Sequence, residues 1–260
     1  MPRPLSRVCL LSCVLLVAST ARAQEGEGDT RERVRVVLDS ARVQQLYVSN
    51  RPEDHPAADF AAQAARKART DSIFAARSTG VMQFKQVRYR STADGLEIPA
   101  YLFAPLVSRG RQAHAAMVWV HGGVHGNWDE MYLPFIIEAV QRGYVIIAPD
   151  YRGSTGHGEA HYRAIDYGGL EVDDVASAAD FLKTLDPVDP ARIGIMGWSH
   201  GGLITALLLF RGERTPFVAG AAMVPVTNLL FRLSFKGPSY QRSFATQAGL
   251  RGLPFENRAE

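Results

Sequence analysis

The residues most able to do chemistry lie in the run Arg192-Ile193-Gly194-Ile195-Met196-Gly197-Trp198-Ser199-His200-Gly201-Gly202. It holds Gly-x-Ser-x-Gly between a short apolar strand pattern and the apolar helix pattern Leu203 to Phe210. A serine at such a strand-to-helix turn is strained and exposed, and flanking glycines let the strand and helix approach without Cβ clashes. Ser199 is the candidate nucleophile, with Gly197, Trp198 and Gly201 forming its elbow. Attack by a serine hydroxyl on a carbonyl builds negative charge on oxygen, which needs fixed hydrogen-bond donors. A second run supplies them: the strand-like Met117-Val118-Trp119-Val120 leads straight into His121-Gly122-Gly123-Val124. The expected donors are the backbone N–H of His200 and that of Gly123 or Val124. Together these parts suit acyl transfer through a covalent intermediate.

The elements needed to position them follow in order. Val87-Arg88-Tyr89-Arg90, a turn at Asp94-Gly95 and Leu96 to Phe103 predict a β-hairpin. Strands at 117–120, 144–148, 193–196 and 217–224 then alternate with helices at 131–141, 170–185 and 201–210, which predicts an α/β fold with chemistry at the strand C-terminal ends. In the helix before the elbow, Val172, Val175, Ala179 and Leu182 follow helical spacing. Glu171, Asp173 and Asp174 beside them read as groups that favour the helix N-terminus and solubility.

Three segments carry a family resemblance: Asp189-Pro190-Ala191-Arg192 running on through Gly202, His121-Gly122-Gly123, and Asp150-Tyr151-Arg152-Gly153-Ser154-Thr155-Gly156. From about Val87 to about Ser234 the chain resembles the catalytic domain of the prolyl oligopeptidase family of serine peptidases. That resemblance implies an α/β-hydrolase fold, a doubly wound, mostly parallel sheet, and a Ser, Asp, His triad in that order. It carries the nucleophile to Ser199 and the oxyanion donors to His200 and Gly123. Family members often have Tyr in place of His200, which leaves the backbone donor intact, and Pro in place of Val124, where this chain gains one. A small peptide or acyl ester is the expected substrate. A carboxylesterase of the same fold and a non-catalytic, hydrolase-like binding protein are the alternatives.

That chain order demands an acid and then a histidine after the serine. No Asp follows Ser199, the only later Glu residues are Glu213, Glu256 and Glu260, and the only later histidine is His200. The expectation is a catalytic domain incomplete at its C-terminus, unable to turn over efficiently, with an apolar strand left at a sheet edge.

Ahead of the hairpin, residues 24–82 read as a helical extension of the domain that spans 83–260. Asp54-His55-Pro56 is the expected helix start, and Phe60, Ala64, Ala68, Ile73 and Phe74 form a loose apolar stripe. Residues 1–23 read as a signal peptide: Arg3 and Arg7, an apolar stretch from Val8 to Ala18, then Ala21-Arg22-Ala23. Cleavage before Gln24 would export the protein, with no stable membrane anchor. Taking Arg3, Arg7 and Arg22 from 29 Lys and Arg leaves 26, against 26 Asp and Glu. A neutral mature chain implies no nucleic-acid surface. Cys9 and Cys13 leave with the leader, so no disulfide or thiolate site is expected. His125, His157 and His161 lack metal-ligand spacing, and neither metal nor cofactor is expected. His55 and His114 read as surface or loop residues, and Asn127-Trp128 as a pocket face or plain packing. The loop from Tyr151 to Gly158 is expected to wall the substrate cleft, with Arg152 in a structural ion pair.

Overall fold

The computed structural model of the chain describes residues 58–210 and 215–234. The leader, its cleavage point, His55 and the expected helix start at Asp54-His55-Pro56 lie outside them.

Helix α1 (Phe60–Ser78) begins at Asp59, whose carboxylate accepts the Ala62 N–H. Strands β1 (Gln83–Arg90) and β2 (Glu97–Ala104) follow as an antiparallel hairpin in continuous register from Gln83 opposite Ala104 to Arg90 opposite Glu97. The hairpin begins earlier than its apolar pattern predicts, because its start is largely polar: Gln83 faces solvent between the inward Met82 and Phe84, and Lys85 and Gln86 are both exposed. Then come β3 (His114–Val120), a 3-10 turn (Glu130–Tyr132), α2 (Leu133–Gln141), β4 (Val145–Pro149) and α3 (Glu159–Arg163). The chain continues through α4 (Leu170–Lys183), β5 (Val188–Trp198), α5 (His200–Phe210), β6 (Ala219–Met223) and α6 (Leu229–Ser234).

The strands form one sheet in the order β1-β2-β4-β3-β5-β6. β2 meets β4 antiparallel, and β4, β3, β5 and β6 run parallel. This is the α/β-hydrolase arrangement. Alternation along the central strands sorts side chains between two faces. Val118, Val120, Val145, Ile147, Ile193 and Ile195 pack under α4 and α5 in one core. Trp119, Ile146, Ala148, Tyr101 and Phe103 pack under α1 and α2 in the other. β3 lies between β4 and β5, so the loops leaving β3 and β5 diverge above a topological switch point, where open α/β sheets hold their ligands.

The inward face of α1 differs from the expected apolar stripe. Phe74 is fully buried, among the rings of Phe84, Tyr101 and Phe103, but Ala64 and Ala68 face solvent. The buried line is Gln63, Lys67, Phe74 and Ser78. Polar partners at the sheet rim draw Lys67 inward, which an apolar pattern cannot register. His114 is a second correction. It lies in β3, is 2% exposed, and bonds Gly143 O through Nδ1 and the Arg109 N–H through Nε2. Among the described residues, no helix is long and apolar enough to cross a membrane.

Candidate active site

β5 ends at Trp198 and α5 begins at His200, leaving Ser199 alone at the turn with φ +57°. A non-glycine residue in that left-handed region is strained, and the surroundings hold it there. The Ser199 N–H donates to Met223 O and its carbonyl accepts from the Leu203 N–H. Close approach explains the flanking glycines: a Cβ on Gly197 would collide with the Gly201 carbonyl, and one on Gly201 with the Val120 and His121 carbonyls. Trp198 is 49% exposed beside the serine.

The glycine loop after β3 lies directly against this turn. A Cβ on Gly122 would meet Ser199 Cβ at 3.3 Å and Trp198 O at 3.0 Å. Gly123 has φ +83°, open to glycine without strain. Two peptide planes of the loop are pinned by their carbonyls. His121 Nδ1 donates to Gly122 O at 3.0 Å, which fixes the peptide carrying the Gly123 N–H. The Tyr151 hydroxyl donates to Gly123 O at 2.6 Å, which fixes the peptide carrying the Val124 N–H. In a trans peptide the N–H points away from its carbonyl, so both donors are aimed by bonds made behind them. The Gly122 N–H donates to the Tyr132 hydroxyl. His200, first residue of α5, has its N–H where a helix offers no internal acceptor.

His121 is fully buried and stacks on Tyr151 at 4.4 Å. Because Nδ1 donates to a carbonyl, Nε2 accepts, and the Ser154 hydroxyl donates to it at 2.9 Å. Burial drives the imidazole down to about 4, so the ring is neutral. Burial likewise pushes the Tyr151 phenol well up, keeping it a donor.

Behind His121 lies a buried polar cluster on Asp150, the residue after β4. Its carboxylate accepts the Trp128 N–H at 3.1 Å and His157 Nε2 at 2.8 Å, and Lys67 Nζ of α1 lies 3.6 Å away. Burial opposes its ionisation, yet the His157 hydrogen bond and the Lys67 charge hold the carboxyl at about 2. Lys67 also bonds Asp71 at 2.7 Å and the Tyr101 hydroxyl.

Arg152 is held by Asp174 through Nε and Nη2, and by Asp94 through a bidentate pair. Asp174 and Glu171 are both 0% exposed, which corrects the reading of them as solubility groups. Glu171 instead accepts the N–H groups of Gly168 and Gly169 and faces His200. Trp128 is fully buried against Trp119 and Tyr132, a packing role. His125 bonds Gly153 O and stacks on Tyr162, and His161 bonds the carbonyls of Asp150 and Tyr151. Among the described residues no three His, Cys, Asp or Glu side chains form a metal cluster.

Ser199 opens into a cleft of about 460 Å3 whose walls include Trp198, Val224, Pro225, Asn228 and Phe231. The structure thus brings Ser199, Gly122 and Gly123 to one rim with His200. The sequence places His121, Asp150 and Tyr151 in its motifs and Glu171 at a helix start, but not the contacts they make here. Asp150 left the clearest trace, as a carboxylate just after the apolar run Val145 to Pro149.

With this geometry, comparison with known proteins decides the family. Residues 132–248 match the model of the prolyl oligopeptidase family. The uncharacterised peptidase YuxL of Bacillus subtilis is 30% identical over 176 residues, 66% of this chain and 26% of its own length. The matched segment is a prolyl oligopeptidase-family α/β-hydrolase domain. Acylamino-acid-releasing enzyme 1 of rice, Oryza sativa subsp. japonica, is 34% identical over 53% of this chain and 18% of its own length. A solved acylaminoacyl peptidase, in complex with Z-Gly-Gly-Phe-chloromethyl ketone, superposes with a TM-score of 0.57. It shares 26% identity over 68% of this chain and 28% of that one. The chain therefore spans about a quarter or less of the curated relatives it resembles.

Proposed function

We propose that this prolyl oligopeptidase-family chain is a serine peptidase domain in which Ser199 attacks an acyl carbon, with the N–H of His200 and that of Gly123 or Val124 receiving the developing oxyanion. The observation that carries this reading is Ser199 at φ +57° with Gly122 packed so closely that a Cβ there would lie 3.3 Å from Ser199 Cβ. That juxtaposition brings nucleophile and donor loop to one carbonyl. The acylamino-acid-releasing relatives and the chloromethyl ketone complex favour a short, N-acylated peptide as substrate. The apolar leader supports export, with the mature chain beginning at Gln24.

Turnover by these residues alone is slow. Both nitrogens of His121 are engaged away from Ser199, His157 is held by Asp150, and His161 by backbone carbonyls. A serine without its base loses on the order of a million-fold in kcat, the magnitude known from subtilisin.

The test is adduct mapping. Prolonged treatment of the full chain with a fluorophosphonate places the label on Ser199, and Ser199→Ala abolishes it. Labelling at another residue, or none, overturns the reading. Cleavage of activated esters with no cleavage of any N-acetylated peptide moves the assignment to carboxylesterase.

A further inference from the structure

Beneath the nucleophile, His200 and Glu171 face each other inside the protein. Glu171 is 0% exposed and His200 3% exposed, with Nε2 lying 3.4 Å from Glu171 Oε1. Neither ring nitrogen of His200 has a hydrogen-bond partner. The rest of its surroundings are aromatic, the Tyr167 ring at 4.8 Å and the Tyr151 ring at 5.8 Å. A buried imidazole is expected to find a partner, and the Glu171 carboxylate is the acceptor at hand. A small rotation of the ring brings Nε2–H to hydrogen-bond distance. Glu171 is itself fixed, since its two oxygens accept the N–H groups of Gly168 and Gly169 at the head of α4. A rigid acceptor therefore reaches across from α4 to the first residue of α5.

We propose that Glu171 is a positioning residue: by holding the far end of the His200 ring it fixes the His200 backbone N–H beside Ser199. The inference rests on Ser199 and His200 acting as nucleophile and oxyanion donor. A donor helps only if it is aimed before charge develops, because reorienting it during reaction costs what it would return. Glu171 supplies that aim through a side chain, at a position where the backbone is also under strain from the turn.

The substitutions His200→Phe and His200→Gln separate this from packing. Phenylalanine keeps the ring volume and loses the donor, whereas glutamine places an amide N–H near the position of Nε2. Burst acylation of the full chain by p-nitrophenyl acetate is the first readout. We expect His200→Phe to lower the acylation rate constant about tenfold with ester affinity unchanged, a fraction of what losing a whole oxyanion donor costs. His200→Gln stays within about twofold of wild type, and adding Glu171→Gln to His200→Phe brings no further loss, as coupling through one bond requires. The second readout needs no activity: hydrogen exchange at the residue 200 amide is faster in the Phe variant than in the Gln variant. A Phe variant that acylates as well as or better than the Gln variant, or equal exchange in the two, overturns the proposal. If loss of the base leaves wild-type acylation too slow to follow, fluorophosphonate mapping decides Ser199 and the exchange comparison still decides whether Glu171 holds the His200 N–H. If Glu171→Gln fails to fold, the two His200 variants decide alone.

Discussion

Lys67 Nζ, on the helix that precedes the sheet, sits 3.6 Å from Asp150 Oδ2 at the end of β4, with both side chains almost wholly buried. The pair joins α1 to the rim that carries the glycine loop, because Asp150 also accepts the Trp128 N–H and His157. Removing one member of a buried pair leaves the other charge uncompensated. Lys67→Met should cost about 3 kcal/mol in urea unfolding. A loss under about 1 kcal/mol would show that Asp150 is satisfied without α1.

Two ion pairs of arginine should differ sharply. Arg152 is the partner of the fully buried Asp174, whereas Arg88 meets Glu97 at a pair that is more than half exposed. Arg152→Met is expected to destabilise by about 3–5 kcal/mol, and Arg88→Met by less than about 1 kcal/mol. Equal effects in denaturant titrations would contradict the assignment of Arg152 as the buried structural anchor.

Acid should unfold the domain in two stages. The His121 imidazole falls from 6.5 to about 4 on folding, so the folded state prefers it neutral. Its contribution is full above pH 6.5 and is lost as pH falls towards 4, on the order of 3 kcal/mol. Asp150 falls from 3.8 to about 2, and its contribution, about 2 kcal/mol, is lost below that first value. Urea midpoints measured from pH 7 down to pH 4 should decline, and His121→Gln should flatten the decline. A wild-type profile that is level across this range is the contrary result.

Gly197→Ala puts a methyl group into the Gly201 carbonyl and forces β5 and α5 apart. We expect a loss of at least about 2 kcal/mol together with the Ser199 adduct. Full labelling in a stable Gly197→Ala protein would mean that the turn tolerates a wider separation than the packing implies.

If the leader is cut where its small residues predict, exported material begins at Gln24. Edman sequencing of protein recovered outside the cytoplasm checks this, and a retained Met1 there contradicts it.

The parallel strands were legible because Met117–Val120, Val145–Ala148 and Ile193–Met196 are apolar on both faces, as strands covered by helices on two sides must be. Ser199 and the His121-Gly122-Gly123 run were legible because strained turns and close backbone approach demand particular residues at particular spacings. The inward side of α1 was not. Lys67 is buried by partners at Tyr101 and Asp150, distant in sequence, and helical periodicity records only apolarity. Glu171 was misread for a related reason: acidic residues in a first helical turn usually face water, and only the fold brings His200 against this one. His121 looked like a motif letter, and its use of both ring nitrogens emerges only with Gly122 O and Ser154 in place.

The loop after β3 and the loop after β4 are stitched together at five points. Tyr151 bonds Gly123 O, Ser154 bonds His121, the Thr155 N–H bonds Gly126 O, His125 bonds Gly153 O, and the Trp128 N–H bonds Asp150. Neither loop is modular. Transplanting 121–128 from a relative without 150–157 would strand acceptors on one side and donors on the other, so engineers of this scaffold must exchange the two segments as a single graft. Drift in one segment should likewise be followed by compensating change in its companion.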